Sequence, residues 1–135
     1  MKKIVVDSNI LFSAFLKTSS KIRDVIFSSD YEFYSCNFAI VEIFKHKEKI
    51  IKYSKLEEQD LLKEIHGILK NINFVNDKLI SEQNLYSALK LCKDIDIKDF
   101  SFLALAFELN ALLWTGDKEL IKGLTQKDIN IFFTP

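Results

Sequence analysis

Turn-forming residues are scarce in this chain: its 135 residues include three glycines and one proline. Loops must be short, and regular elements must dominate. That weighs against an all-β fold and favours a helix-rich α/β domain. Arginine is scarcer still. Arg23 stands alone among 19 basic residues, so bidentate phosphate clamps are few. Neither charge is in excess, with 19 basic residues against 19 acidic ones. This argues against a protein that grips nucleic acid by bulk electrostatics, although it leaves room for a local basic patch beside an acidic site. The only cysteines, Cys36 and Cys92, match no zinc spacing. They read as two buried thiols in a reducing cytosol. No apolar run approaches the ~20 residues of a membrane span, and Ile4-Val5-Val6 is too short for a secretory leader. The expectation is a soluble, cytoplasmic protein with no membrane contact.

What the chain does have is apolar mass. Its 48% hydrophobic content and 12 phenylalanines can fill one sizeable core, and the length suits a single domain over residues 1–135. Ile4 to Val6 reads as a buried strand. A helix follows from Asn9 to Lys17, and Ser19 or Ser20 can cap a second one to about Phe27. Glu32 to Cys36 reads as a strand, and Asn37 can cap a helix from Phe38 to about Ile51. Ser54 and Glu57 have capping-box spacing for a helix to about Lys70. Ile72 to Val75 is a weak strand. Helices are expected from Ser81 to about Lys93 and from about Lys98 to Leu109. A strand over Ala111–Thr115, a short helix over Lys118–Gly123 and a last strand over Ile129–Phe133 complete the chain. Strands separated by helices imply crossovers and a mainly parallel sheet with helices on both faces. Chemistry in such folds gathers at the carboxyl ends of the strands.

Asp7 and Asp117 both fall at that edge. Each also reads as a plain helix N-cap. Glu42 lies in "FAIVEIFKH", where six apolar residues surround it between Phe38 and Phe44. A carboxylate in so apolar a helix must be paired, metal-bound or neutralised; pairing with Lys45 or His46, three and four residues on, is the plain alternative. "CKDIDIKDFSFLALAFEL" holds Asp94, Asp96 and Asp99. Asp99 falls in the first turn of an apolar helix, where a solvated acid also suits the helix dipole. One arrangement explains all four positions: Asp7, Glu42, Asp99 and Asp117 converge on a divalent cation. Carboxylate oxygens suit Mg²⁺ or Mn²⁺, and no His or Cys stands where zinc would need it. Such an ion joins carboxylates to phosphate oxygens, so a phosphodiester substrate follows, with the ion activating water or stabilising the leaving oxygen.

These segments resemble the PIN-domain family, including the VapC-type toxins of bacterial toxin–antitoxin pairs. "IVVDSNILFSAF" is similar to the family's opening strand, Asp and Ser/Thr-Asn. "FAIVEIFK" resembles its helix with a central Glu. "DIKDFSFLALAFELNALLWTGDKEL" resembles its Asp, Ala-containing helix and strand ending in Thr-x-Asp. The resemblance implies a three-layer α/β/α sandwich around a central, mainly parallel sheet of four or five strands. It implies Asp7, Glu42, Asp99 and Asp117 as catalytic acids and metal ligands, with Asp96 as an auxiliary ligand. Ser8, Asn9 and Thr115 would support them by hydrogen bonds. It implies Mg²⁺- or Mn²⁺-dependent endoribonuclease activity, and for a toxin an antitoxin whose segment plugs the acidic groove, often with a homodimer.

Lys45, His46 and Lys49 follow Glu42 and are candidates for RNA phosphate contacts, or simply a solvated helix face. No aromatic residue is evidently placed beside them for base stacking. His66 reads as a partly buried helix residue rather than a catalytic base. Two other functions use the same residues differently: a catalytically silent binding module of the same shape, and a metal-dependent DNA or flap nuclease.

Overall fold

The computed structural model describes residues 1–16 and 20–135. Lys17 and Ser19, the expected end of the first helix and one candidate cap of the second, lie outside these residues.

Four strands form one parallel sheet: β1 (Lys2–Val6), β2 (Tyr31–Cys36), β3 (Ile72–Val75) and β4 (Leu112–Trp114). Their order is β3-β2-β1-β4, and every pairing is parallel. Ile4 pairs with both Phe33 and Leu112, and Val6 pairs with Trp114. The central strand β1 is thus buried on both faces, which is why Ile4, Val5 and Val6 are all apolar and fully buried.

Among the described residues, eight α-helices flank the sheet: α1 (Ser8–Phe15), α2 (Ser20–Phe27), α3 (Asn37–Lys45), α4 (Lys47–Ser54), α5 (Glu58–Leu69), α6 (Glu82–Cys92), α7 (Phe100–Leu109) and α8 (Lys118–Gln126). The run Phe102 to Ala106 is buried throughout. An apolar helix of that kind must lie inside, and α7 packs between α6 and strands β1, β2 and β4. Helix α1 gathers α2, α3, α4 and α5. The sole arginine serves this layer: Arg23 donates to the Ala14 carbonyl at 2.9 Å and pairs with Glu64 at 3.1 Å. It holds no phosphate-clamp position. Beyond α7 the chain reverses at Asn110, whose φ of 52° is left-handed, a conformation Asn tolerates at a helix end. Ala111 then leads into β4, so α7 and β4 stay side by side.

Several expected details differ. The helix expected over Phe38–Ile51 is two helices that meet at His46. Asn37 does not cap α3; Cys36 takes that place, and the Asn37 amide donates instead to Asp77. Ser54 and Glu57 form no capping box, because Ser54 still belongs to α4 and its hydroxyl accepts from the Leu56 amide. Residues 129–133 make a single parallel bridge, Leu113 to Phe132, rather than a full strand. Helix α8 continues past Gly123 to Gln126. His66 is exposed on α5. Cys36 and Cys92 are buried free thiols, as expected.

Candidate metal centre

At the carboxyl edge of the sheet, β1 ends on Asp7 and β4 leads through Thr115 and Gly116 to Asp117. The Asp7 amide donates to the Trp114 carbonyl at 3.2 Å, so the two strand ends stay in register. Both acids cap the helices they precede. Asp7 Oδ1 accepts from the Ile10 amide at 2.9 Å. Asp117 Oδ1 accepts from the Glu119 and Leu120 amides, each at 3.1 Å. The cap reading is therefore correct for both acids, and it accounts for one oxygen of each.

It leaves the other oxygen of Asp7 unexplained. Asp7 is 1% exposed, and its Oδ2 is buried with no hydrogen-bond partner. Burial raises its carboxyl from an ordinary 3.8 to about 6, and the charges of Asp117 and Glu42 push the same way; the Ile10 amide and the nearby Thr115 hydroxyl pull back only in part. An unpartnered buried carboxylate oxygen is costly unless protonated or met by a cation.

Asp96, Asp99 and Asp117 lie beside it. Each offers a carboxylate oxygen within 4.8 Å of the other two. Asp96 caps the 3₁₀ turn Ile97–Asp99, and Asp99 stands at the junction of that turn with α7. Asp99 is therefore just ahead of the helix rather than in its first turn. Burial raises the Asp99 carboxyl to about 7, helped by the charges of Asp7 and Asp96 and by close contact with the Asp117 carboxyl. Asp96 is also raised, chiefly through that contact with Asp117, then by burial. For Asp117, burial pushes upward, but the Leu120 amide, close contact with the Asp96 and Asp99 carboxyls and the Glu119 amide outweigh it and hold the carboxyl below its usual range.

Glu42 stands on α3, half-buried, and accepts a 2.7 Å hydrogen bond from the Ser8 hydroxyl. It makes no ion pair with Lys45 or His46. Its charge is felt at Asp7, yet like Asp7 it lies outside the group of three formed by Asp96, Asp99 and Asp117. Thr115 is buried and its hydroxyl accepts from the Asp117 amide at 3.1 Å. Asn9 is exposed, as are Lys45 and Lys49, while His46 is half-buried.

Two supports for Asp96 carry no recognisable sequence pattern. Lys127 Nζ reaches back to Asp94 at 2.6 Å and to the Leu91 carbonyl at 2.9 Å, fixing the loop before Asp96. Gly123 faces Ile95 so closely that a Cβ there would stand 2.5 Å from Ile95 Cδ1. The donor set is carboxylate throughout, with no nitrogen or sulfur ligand, and a hard cation such as Mg²⁺ or Mn²⁺ fits it. The orphaned Asp7 oxygen and the mutual repulsion of four acids are both relieved by such an ion.

Two solved structures share the fold. The crystal structure of PAE2754 from Pyrobaculum aerophilum superposes with a TM-score of 0.63 at 14% identity, covering 90% of this chain and 79% of that one. The crystal structure of VapBC2 from Rickettsia felis, bound to a DNA fragment from their promoter, gives 0.65 at 13% identity, covering 97% and 96%. No curated protein matches the chain. The family model of the PIN domain matches residues 5–131, nearly the whole length, and the chain belongs to the PIN-domain family.

Proposed function

We propose that this PIN domain is a Mg²⁺- or Mn²⁺-dependent endoribonuclease that hydrolyses RNA phosphodiester bonds, and that it is the toxin of a toxin–antitoxin pair. The observation that carries this reading is the grouping of Asp96, Asp99 and Asp117 within 4.8 Å beside the buried, unpartnered Oδ2 of Asp7. Asp7, Asp99 and Asp117 would hold the ion, with Asp96 and, at the edge, Glu42. When bound, the ion offsets phosphate charge and acidifies a water near the scissile bond. The chain's own residues arrange the donors. The Ser8 hydroxyl fixes Glu42, and the Thr115 hydroxyl fixes the turn that presents Asp117. Lys45, His46 and Lys49 lie downstream of Glu42 and would meet the phosphates on either side of the cut.

The partner belongs to the same reading. The structural neighbour VapBC2 supports an antitoxin and an oligomer, and Val41, Phe44 and Leu62 stand exposed on α3 and α5. No described helix is long and apolar enough to cross a membrane, which is compatible with a cytoplasmic toxin.

Cleavage of a labelled RNA in Mg²⁺ or Mn²⁺ tests the activity. Asp7→Asn should slow it about a thousandfold, the loss of several kcal/mol of charge stabilisation. A variant that cuts as fast as the parent overturns the mechanism. Equal cutting of the matching DNA strand would keep the metal chemistry and refute the RNA preference.

A further inference from the structure

A cleft of about 260 Å³ opens between α1 and α4. Its walls are two helical stripes. Asn9, Phe12 and Leu16 come from one side, and His46, Lys49 and Tyr53 from the other. Each set recurs at i, i+3 and i+7, the spacing that puts side chains on one helix face. The Phe12 ring meets His46 edge-on, with centroids 5.5 Å apart. Tyr53 is 58% exposed although it is aromatic, and Lys52 Nζ lies 5.6 Å from its ring centroid.

This cleft adjoins the acidic centre. Asn9 is two residues beyond Asp7, and the His46 amide donates to the Glu42 carbonyl at 3.0 Å. The Ser8–Glu42 hydrogen bond ties the walls together at 2.7 Å. So the cleft lies one helical turn from Glu42, and it brings the Phe12 ring of another helix to the side of Lys49 and Tyr53.

We propose that the cleft is a nucleobase subsite. It takes one unpaired base next to the scissile phosphate, stacked on Tyr53, with Lys49 on the adjoining phosphate and the Asn9 carboxamide against the base edge. The inference rests on the ribonuclease reading and specifies its substrate as single-stranded at the cut. An aromatic face, one cation and one carboxamide are what a base with its phosphate requires. The volume is below the roughly 300 Å³ at which sites for drug-sized ligands begin, which suits one flat ring system. A base still paired in a duplex cannot enter without being flipped out.

Fluorescence anisotropy of a labelled single-stranded RNA tests it, using the full chain carrying Asp7→Asn so that the RNA stays intact. Tyr53→Ala should weaken binding about tenfold, and Tyr53→Phe should restore it. Lys49→Ala should lower the salt dependence by about one phosphate contact. With 2-aminopurine placed at each RNA position in turn, one position should be quenched on binding, and Tyr53→Ala should abolish that quenching. Tyr53 is largely solvent-facing, and a thermal melt checks that the variant is folded. Unchanged affinity and quenching in Tyr53→Ala overturn the subsite. If the unsubstituted protein still cuts RNA, the nuclease reading survives that failure; if it neither binds nor cuts RNA, both fall.

Discussion

Asp7 and Asp117 occupy matching places, each following a parallel strand and each capping the next helix, yet their carboxyls are shifted in opposite directions. Asp117 is partly solvated. Two amides donate to it, Asp96 and Asp99 lie beside it, and its carboxyl is held low. Asp7 has one amide, the nearby Thr115 hydroxyl and almost no solvent; its Oδ2 has no hydrogen-bond partner, and its carboxyl is pushed to about 6. The difference comes from the sheet. β1 has a full strand on each side, whereas β4 has β1 on one side and only the Leu113–Phe132 bridge on the other, so the same strand–Asp–helix device is buried in one case and partly open in the other. A cap needs one carboxylate oxygen. A second oxygen, buried and left without a donor, marks an acid placed for something besides capping.

The largest expected effect follows from that difference. A carboxyl whose folded value exceeds its unfolded one binds its proton more tightly in the native state. Its favourable contribution is complete below about pH 4 and is lost as pH rises through the folded value. For Asp7, a rise from 3.8 to about 6 corresponds to about 3 kcal/mol, and Asp99, at about 7, extends the loss upward. In EDTA the melting temperature should therefore fall by roughly 10 °C between pH 4.5 and pH 8. Millimolar Mn²⁺ should restore most of it at pH 8 and little at pH 4.5, because an ion competes with the protons. A flat profile in EDTA would mean that Asp7 is compensated by another group, and the contrast with Asp117 would collapse.

The next effect isolates one acid. Asn caps as well as Asp, so Asp7→Asn can keep the Ile10 bond while removing the buried charge. Without metal at pH 8 the variant should melt several degrees above the parent, and its gain from Mn²⁺ should disappear. A variant that melts lower would show that the charge on Asp7 stabilises the fold by itself.

The sequence conveyed the fold better than the site. Apolar runs over Ile4–Val6 and Phe102–Ala106 mark buried elements because burial on all sides leaves no place for a polar residue. The break at His46 was hidden because neither Gly nor Pro marks it. The Ser54–Glu57 spacing misled because the same residues also suit the end of one helix followed by a tight turn. In the site, strand-end position marked Asp7 and Asp117, but spacing alone could not rank Asp96 against Glu42. That ranking depends on the loop before Asp96, and it is held by Lys127 and by the closeness of Ile95 to Gly123, contacts between residues far apart in the chain. The pairing of Asn9 and Phe12 with Lys49 and Tyr53 was illegible for the same reason: each stripe is visible on its own helix, but their meeting is tertiary.

The smallest effect is expected at Asp117. Asp117→Asn keeps an oxygen for the Glu119 and Leu120 amides, so the cap survives, and metal-free stability should move by only a few tenths of a kcal/mol. The carboxylate contacts to Asp96 and Asp99 change more. Those two acids lose a charged neighbour and should ionise more readily, which makes the fall of the metal-free melting temperature with pH smaller and ends it at a lower pH. Matched melts of the two Asn variants in EDTA and in Mn²⁺ give the comparison directly. Asp7→Asn should change metal-free stability clearly and Asp117→Asn hardly at all, while both weaken the response to Mn²⁺. If Asp117→Asn destabilised the protein as much as Asp7→Asn stabilised it, solvent access would not be what separates the two acids, and the edge position of β4 would have no bearing on the site.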